Sequence, residues 1–260
     1  MPGFIPLPYG FQVTQKTFCR TWRKHVTASI VTMLMNADPD KSGIQQARET
    51  FGGAPSPPKN EFAMRAINHG NFYEKICVDR VSTAMEYFNS YDKTLGIGNG
   101  EYSFTCAWKY QSRARSENFI FSATPDLVLR NEQGQHIPIE IKCPFKVWSQ
   151  GMDVDTISVK INWWVQAMLQ SLILQSTYGY IIVYFPERGP SKPEQWMIYK
   201  TVRTQEVDSM LLTEIHKIYV LLASPTGVDS FRAKSGEKGQ KMLMLNSLME
   251  KTMTLINKKL

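Results

Sequence analysis

The alternation of apolar and polar positions predicts helices first, then a run of strands. TASIVTMLM gives residues 15–35 an apolar helical face, and residues 61–87 predict a second helix that could break at Gly70. Between them, residues 51–60 are rich in Gly and Pro and predict a loop. After this, YSFTCAWKY (residues 102–110) alternates as a strand does.

The centre of the chain predicts a β-hairpin. FIFSATPDLVLR (residues 119–130) has the pattern of one strand, and HIPIEIKCP (residues 136–144) that of its partner. NEQGQ, which lies between them, has the composition of a tight turn. The two central strands should therefore pair with each other.

The second half alternates between helical and strand patterns. The predicted elements are a helix at about 157–176, strands at 178–185 and 195–203, an amphipathic helix at 206–223 and a last helix at 238–258. This order predicts an α/β fold with a mixed central β-sheet flanked by α-helices.

Length and hydropathy favour one domain without a membrane segment. We expect residues 1–260 to form a single domain with its core at about 60–200, an N-terminal helical segment and C-terminal helices. No stretch approaches the ~20 apolar residues that span a bilayer. The start, MPGFIPLPYGFQ, lacks the pattern of a secretory signal. We therefore expect an intracellular protein with no membrane partner, in the cytoplasm or nucleus of a host.

The chain is basic. Thirty Lys and Arg residues against 23 Asp and Glu give a formal net charge of +7. Such a balance favours a polyanionic partner, because neutralising phosphates releases counterions. A merely soluble basic surface is the equal alternative on charge alone.

The four cysteines favour free thiols. Cys19, Cys77, Cys106 and Cys143 lie far apart, and no CxxC pair occurs. This spacing argues against a zinc ribbon or a disulfide framework, and it gives no support to an iron–sulfur cluster.

The predicted hairpin gathers charges within an apolar sheet. The period of a strand puts Glu140 and Lys142 on one face, with Ile139 and Ile141 on the other. The hairpin connection brings Asp126 within reach of the charged face. Burying such charges without partners costs several kcal/mol each, and a divalent cation would remove most of that cost.

This set of groups suits phosphodiester hydrolysis. Carboxylates bind Mg²⁺ or Mn²⁺ through oxygen, and the metal lowers the pKa of a bound water. Lys142 would orient or help to deprotonate that water and stabilise the developing negative charge. The backbone carbonyl of Ile141 is a further candidate ligand. The alternative is a surface hairpin with an ordinary Glu–Lys pair.

TPDLVLRNEQGQHIPIEIKCPF resembles the PD-(D/E)xK nuclease motif, in the version of phage lambda exonuclease and the YqaJ-type viral recombination nucleases. EIKCPF (residues 140–145) is similar to the family's run over its whole length. Three further segments resemble the family in the same order: RKHVTAS (23–29), AINHGNFYEKICVDRV (66–81) and WWVQAMLQSLILQSTYGYIIVYFP (163–186). The resemblance implies a restriction-endonuclease-like core.

The resemblance also implies roles for single residues. Asp126 and Glu140 match metal ligands, and Lys142 matches the catalytic lysine. Glu74 matches a helix carboxylate that faces the metal site, through water or a second ion, so two Mg²⁺ or Mn²⁺ ions are expected. Gln166 matches a catalytic-site glutamine near the scissile strand.

The N-terminal segment is a candidate site for the 5′-phosphate of DNA. Arg23, Thr27 and Ser29 match the family's phosphate-capturing region, and hydroxyls at a helix start beside arginine form an anion site. The spacing from arginine to serine is one residue shorter than in the phage enzyme, so Arg20 is an alternative to Arg23.

Asn162, Gln166 and Gln170 fall at i, i+4 and i+8 of the predicted helix and form a polar stripe. The stripe would face either the active site or solvent. The opposite side should be core: Trp164, Val165, Met168 and Leu172.

Together these features predict a Mg²⁺-dependent DNA exonuclease. It would degrade linear double-stranded DNA in the 5′→3′ direction and leave 3′ single strands for recombination or genome processing. Arg113 and Arg115 would grip the DNA backbone, or they lie in a solvated turn. The resemblance adds a homotrimer and a single-strand annealing protein as partners. The alternatives are an endonuclease or RNA-degrading relative, and a non-catalytic nucleic-acid-binding protein.

Overall fold

A computed structural model describes the following residues of the chain: 11–19, 26–27, 30–31, 47, 49, 51, 60–88, 94–95, 103–111, 116–123, 125–130, 135–145, 158–223 and 237–257. In chain order its elements are β1 (Phe11–Cys19), β2 (Val26–Thr27), α1 (Glu61–Phe88), β3 (Thr94–Leu95), β4 (Ser103–Gln111), β5 (Ser116–Ala123), β6 (Leu127–Arg130), β7 (His136–Lys142), α2 (Ile161–Leu174), β8 (Tyr178–Phe185), β9 (Gln195–Val202), α3 (Gln205–Ala223), α4 (Glu237–Thr252) and β10 (Met253–Asn257).

The strands form two sheets. The larger is a mixed sheet of six strands in the order β10-β9-β8-β7-β6-β3, with β7 and β8 parallel and the other pairs antiparallel. The smaller has four strands in the order β1-β4-β5-β2. The chain is therefore an α/β protein with a mixed sheet, as its pattern predicts.

The six-stranded sheet is buried on both faces. On one face, Cys77 and Val81 of α1 pack against residues of β6 to β9, such as Ile139 and Ile141 of β7. Helices α2, α3 and α4 pack on the other face. Burial of each large aliphatic side chain stabilises the fold by about 1.5–3 kcal/mol.

Helix α2 makes the crossover between the parallel strands β7 and β8, which is the usual way to join parallel neighbours. It is buried almost all round, as expected for a helix that is apolar on every side. It ends at Gln175, whose left-handed backbone (φ 56°) lets the last carbonyls accept hydrogen bonds from the N–H groups of Gln175 and Ser176. This turn feeds directly into β8.

Asn60 caps the start of α1, and its side-chain oxygen accepts a hydrogen bond from the Ala63 N–H at 2.8 Å. The helix then runs through Gly70 without the predicted break. The predicted hairpin is confirmed as the pair β6–β7. Among the described helices, none combines the length and apolar character needed to cross a bilayer.

The N-terminal helix prediction is wrong for residues 15–19 and 26–27. Residues 11–19 form β1, paired with β4, and only residues 30–31 of the described part of 15–35 are helical. The segment FQVTQKTFC is rich in aromatic and β-branched residues, which favour strands. The prediction of a helix rested instead on the apolar run TASIVTMLM, which follows this segment. In the predicted loop 51–60, Phe51 is helical and Asn60 caps α1, while 52–59 lie outside the described residues.

Three predicted boundaries also differ. FIFSATPDLVLR is not one strand but two, β5 and β6, which belong to different sheets. Pro125 lies between them, and proline has no N–H to donate to a strand ladder. Helix α2 begins at Ile161 rather than near residue 157. The predicted last helix ends at Thr252, and β-branched residues then continue as the edge strand β10.

Candidate active site

Asp126 lies at the bend where the chain passes from the smaller sheet to the larger. The register pairs Leu127 with Ile139, so Asp126 comes level with Glu140 on the neighbouring strand. Its Oδ2 accepts a hydrogen bond from the backbone N–H of Ile141 at 2.6 Å. The hairpin therefore fixes one carboxylate against the end of β7.

Glu140 is the buried centre of the site. Its side chain is only 2% exposed, and Ile139 and Ile141 on either side point to the opposite face, as predicted. The Lys142 ammonium donates a hydrogen bond to Oε1 of Glu140. The amide of Gln170, on α2, donates to Oε2 at 2.5 Å. Both oxygens of this buried carboxylate are thus bound, as burial of a charge requires.

Glu74 approaches the same charges from α1, on the other side of the sheet. The side chain is half-buried. Burial raises the pKa of Glu74, the Lys142 ammonium lowers it, and the Glu140 carboxylate raises it. These interactions place Glu74 within electrostatic range of the hairpin.

The charges around Lys142 keep it protonated. Burial alone would lower the pKa of Lys142, but the carboxylates of Glu140, Asp126 and Glu74 outweigh burial and raise it. Burial and the neighbouring Glu140 carboxylate raise the pKa of Asp126 well above its usual value, although Lys142 opposes them. Three carboxyl groups therefore interact with one ammonium, and burial together with their mutual repulsion makes Asp126 and Glu74 hold their protons more tightly.

This donor set suits a hard divalent cation that keeps part of its water. Among the described residues, no group of three or more His, Cys, Asp and Glu side chains is arranged to hold a metal ion by itself. Mg²⁺ is typically held by one or two carboxylates together with water and substrate phosphates, rather than by an all-protein cage. Asp126 and Glu140 fit that description, and a cation beside them would favour the ionised form of both carboxyl groups.

The thiols next to the site are not activated nucleophiles. Cys77 and Cys143 are both free. Burial raises the pKa of Cys143 to about 12 and also raises that of Cys77, so neither is a thiolate near neutral pH. The prediction of free thiols is confirmed for these two residues.

Phe145 connects the segment after β7 to α1 through ring contacts. The centroid of its ring lies 5.5 Å from the ring centroid of Phe62 and 5.2 Å from that of His69, and both contacts are edge-on. Burial lowers the pKa of His69, which favours its neutral form. The aromatic contacts hold the helix that carries Glu74 against the segment that follows Lys142.

The polar stripe of α2 contains the residue that the predicted site omits. Gln170 contacts Glu140, whereas Gln166, one turn earlier, is half-buried. The spacing of the stripe could have identified Gln170, because residues at i and i+4 share a helix face. The four residues predicted for the core side are all buried: Trp164, Val165, Met168 and Leu172.

The predicted phosphate-binding residues are placed only in part. Thr27 lies in β2, level with Ser122 of β5 and three positions before the helical residue Ile30, so its role in binding a phosphate stays a prediction. The remaining predicted DNA-binding residues lie outside the described residues: Arg20, Arg23, Ser29, Arg113 and Arg115.

No family model and no curated protein matches the chain. The chain is similar in structure to an alkaline exonuclease. That exonuclease, LHK-Exo from Laribacter hongkongensis, is 16% identical, with 86% of this chain and 95% of that chain covered and a TM-score of 0.49. LHK-Exo in complex with dAMP also matches, at 16% identity over 88% and 93% of the two chains, with a TM-score of 0.46. The structure of SSO0001 matches at 11% identity over 79% of each chain, with a TM-score of 0.41. These matches assign no role to any residue of the chain.

Proposed function

We propose that the chain is a metal-dependent deoxyribonuclease, an exonuclease that hydrolyses phosphodiester bonds of linear double-stranded DNA. The observation that carries the proposal is the meeting of Asp126, Glu140 and Lys142 on adjacent strands, with Glu140 buried. We further propose that residues 1–260 form one domain with a restriction-endonuclease-like core.

The site residues divide the work of hydrolysis. Asp126 and Glu140, with the backbone carbonyl of Ile141, would hold Mg²⁺ or Mn²⁺, and Glu74 would act through water or a second ion. The bound metal would supply a water of lowered pKa and neutralise charge on the phosphate. Lys142, protonated by its surroundings, would orient the water and stabilise the negative charge that develops on the phosphate.

The proposed substrate is a DNA end. The net charge of +7 favours a polyanion, and the motifs around the site resemble those of phage-type exonucleases. We propose 5′→3′ degradation that leaves a 3′ single strand, with Gln166 near the scissile strand. The same resemblance supports a homotrimer, for which light scattering should give three times 29.8 kDa, and an annealing protein as partner.

Digestion of labelled duplexes tests the proposal. The substrates are one linear DNA with and without a 5′-phosphate, labelled at either end, and the same sequence as a closed circle. We expect cleavage of the linear DNA in Mg²⁺, none in EDTA, preference for the 5′-phosphorylated end, and an intact circle.

Other outcomes identify the alternatives. Equal cutting of the circle would make the enzyme an endonuclease, and preference for a matched RNA duplex would make it a ribonuclease. DNA binding without cleavage in Mg²⁺ or Mn²⁺ would leave a non-catalytic nucleic-acid-binding protein.

A further inference from the structure

Gln170 is a buried polar side chain beside the candidate metal ligands. It is 1% exposed, and its Nε2 lies 2.5 Å from Oε2 of Glu140. Lys142 occupies the other oxygen of the same carboxylate. The two donors approach Glu140 from different elements, the amide from α2 and the ammonium from β7.

The two donors differ in how firmly they are held. Lys142 is 23% exposed and has a flexible four-carbon stem, so its ammonium can leave Glu140 to meet a phosphate. Gln170 projects from α2, whose neighbouring residues Leu169 and Ser171 are fully buried in the close-packed core. Of these two donors, the amide is therefore the one that can hold Glu140 in one orientation while the ammonium moves.

The composition of α2 makes a packing role for Gln170 costly. Most buried residues of this helix are apolar, and a buried amide costs stability unless it is hydrogen-bonded. An apolar side chain of similar length, such as methionine, would fill the same volume without that cost. The amide has a charged acceptor on the neighbouring strand, which is the stronger kind of hydrogen bond.

We infer that Gln170 is a positioning residue, which orients the Glu140 carboxylate through its Oε2 and thereby sets the affinity of the site for divalent cations. The inference rests on the proposed function. Groups that orient metal ligands without touching the ion typically change metal affinity by about 10- to 100-fold when they are removed.

The test uses the full chain with three substitutions. Gln170→Met removes the donor and keeps the length, and Gln170→Asn keeps the amide but shortens the side chain beyond reach of Oε2. Ser171→Ala is the matched control, because Ser171 is the buried neighbour on α2 and its hydroxyl donates to the Ala167 carbonyl. Circular dichroism establishes that each variant is folded.

Two readouts are measured: Mn²⁺ binding by calorimetry without DNA, and the Mg²⁺ concentration that gives half-maximal cleavage. For both Gln170 variants we expect Mn²⁺ affinity to fall and the Mg²⁺ midpoint to rise, each by about 10- to 100-fold, with an unchanged KM for DNA. Ser171→Ala should match the wild type. A merely structural role would lower the thermal midpoint without moving metal affinity.

The outcomes separate this inference from the proposed function. A wild type that binds Mn²⁺ but does not cleave DNA would sink the nuclease proposal, while weaker binding by the Gln170 variants would still support the positioning role. A wild type that cleaves, with Gln170 variants of unchanged metal affinity and midpoint, would overturn the positioning role alone. Absence of Mn²⁺ binding by the wild type would overturn both.

Discussion

Lys142 lies at the boundary between the buried hairpin and solvent, and this position decides what it can do. Its partner Glu140 is almost fully buried, whereas the Lys142 side chain keeps part of its surface exposed. The surrounding carboxylates hold it in the charged form. A protonated amine at such a boundary can stabilise a phosphate but is a poor base.

Replacing Lys142 tests that role. We expect Lys142→Met to lower kcat by about 10²–10⁴-fold at saturating Mg²⁺, because positioning of the water and charge stabilisation are both lost. Lys217→Met is the control, since Lys217 is an exposed lysine paired with Glu214 on α3 and should leave the rate unchanged. The measurement is single-turnover cleavage of linear duplex DNA. Full activity of Lys142→Met would remove this residue from the mechanism.

Alanine substitutions at Gly179 of β8 and at Gly70 of α1 should have opposite effects on stability. A Cβ added at Gly179 would lie 2.7 Å from Ser171 Oγ and 3.1 Å from the Pro138 carbonyl oxygen, so α2 and β7 leave no room for it. Gly179→Ala should therefore lower the free energy of unfolding by about 1–3 kcal/mol.

The second substitution is Gly70→Ala in α1, at the position where the sequence allowed a break in the helix. Nothing lies within 4 Å of a Cβ at this position, so the substitution should stabilise α1 by about 0.5–1 kcal/mol. Urea unfolding monitored by circular dichroism measures both variants. A destabilised Gly70→Ala would show that this glycine has a packing role that the space around it does not reveal.

At the level of elements, hydrophobic periodicity correctly predicted the strands and helices whose pattern is visible within their own sequence. The alternation in HIPIEIK and the apolar run in YGYIIVYF correspond to β7 and β8, and the amphipathic pattern after Gln205 corresponds to α3. These strands bury both faces or form a hairpin, so their sequence already contains the signal. The paired charges of the site lie on the same elements.

The elements that were missed depend on distant partners. β1 is stabilised by pairing with β4, more than eighty residues later in the sequence, and β10 by pairing with β9, from which the helices α3 and α4 separate it. No local pattern reports such pairing, because strand preference reflects packing against cross-strand neighbours. The spacing of Gln170 placed it on the polar stripe of α2, but the sequence left open which element that stripe faces; its carboxylate partner lies on β7.

The junction between β9 and α3 contains a buried ion pair. Arg203 Nε lies 3.1 Å from Oδ1 of Asp208, and both side chains are buried. Arg203→Met or Asp208→Leu alone should lower the free energy of unfolding by about 3–5 kcal/mol, because each leaves an unmatched buried charge. The double variant should regain most of that loss, and a thermodynamic cycle from urea unfolding measures the coupling. Additive single effects would contradict the expected coupling.

The Arg203–Asp208 pair also makes the free energy of unfolding depend on pH, and the pKa of Asp208 determines the direction of this dependence. Burial raises the pKa of Asp208 from 3.8 to about 6, although Arg203 opposes the shift. The folded chain then binds this proton more tightly than the unfolded chain, so the contribution to stability is fully present below pH 3.8 and is lost as the pH rises through 6. Relative to the double variant, the wild type should therefore lose stability between these pH values. A flat difference would contradict the shift.

On the scale of the whole molecule, a chain of net positive charge contains a candidate site rich in carboxyl groups. The chain carries +7 overall, yet its candidate catalytic centre gathers three carboxylates around one ammonium. A DNA backbone would be attracted to the molecule but repelled at the reacting position unless a cation is bound there. The two halves of the proposed function, DNA binding and metal binding, are therefore coupled by charge.

This coupling predicts how salt and metal act together on DNA binding. We expect log affinity for a short duplex to fall linearly with log salt concentration, with a slope of about −0.9 for each phosphate neutralised. We also expect Mg²⁺ at low concentration to strengthen binding by the inactive Lys142→Met chain, because the cation cancels the repulsion from Asp126 and Glu140. Fluorescence anisotropy at fixed ionic strength measures both effects, and Asp126→Asn should remove most of the Mg²⁺ effect but keep the salt slope. Were Mg²⁺ to weaken binding at every concentration, the carboxylates would not be where the phosphate is bound.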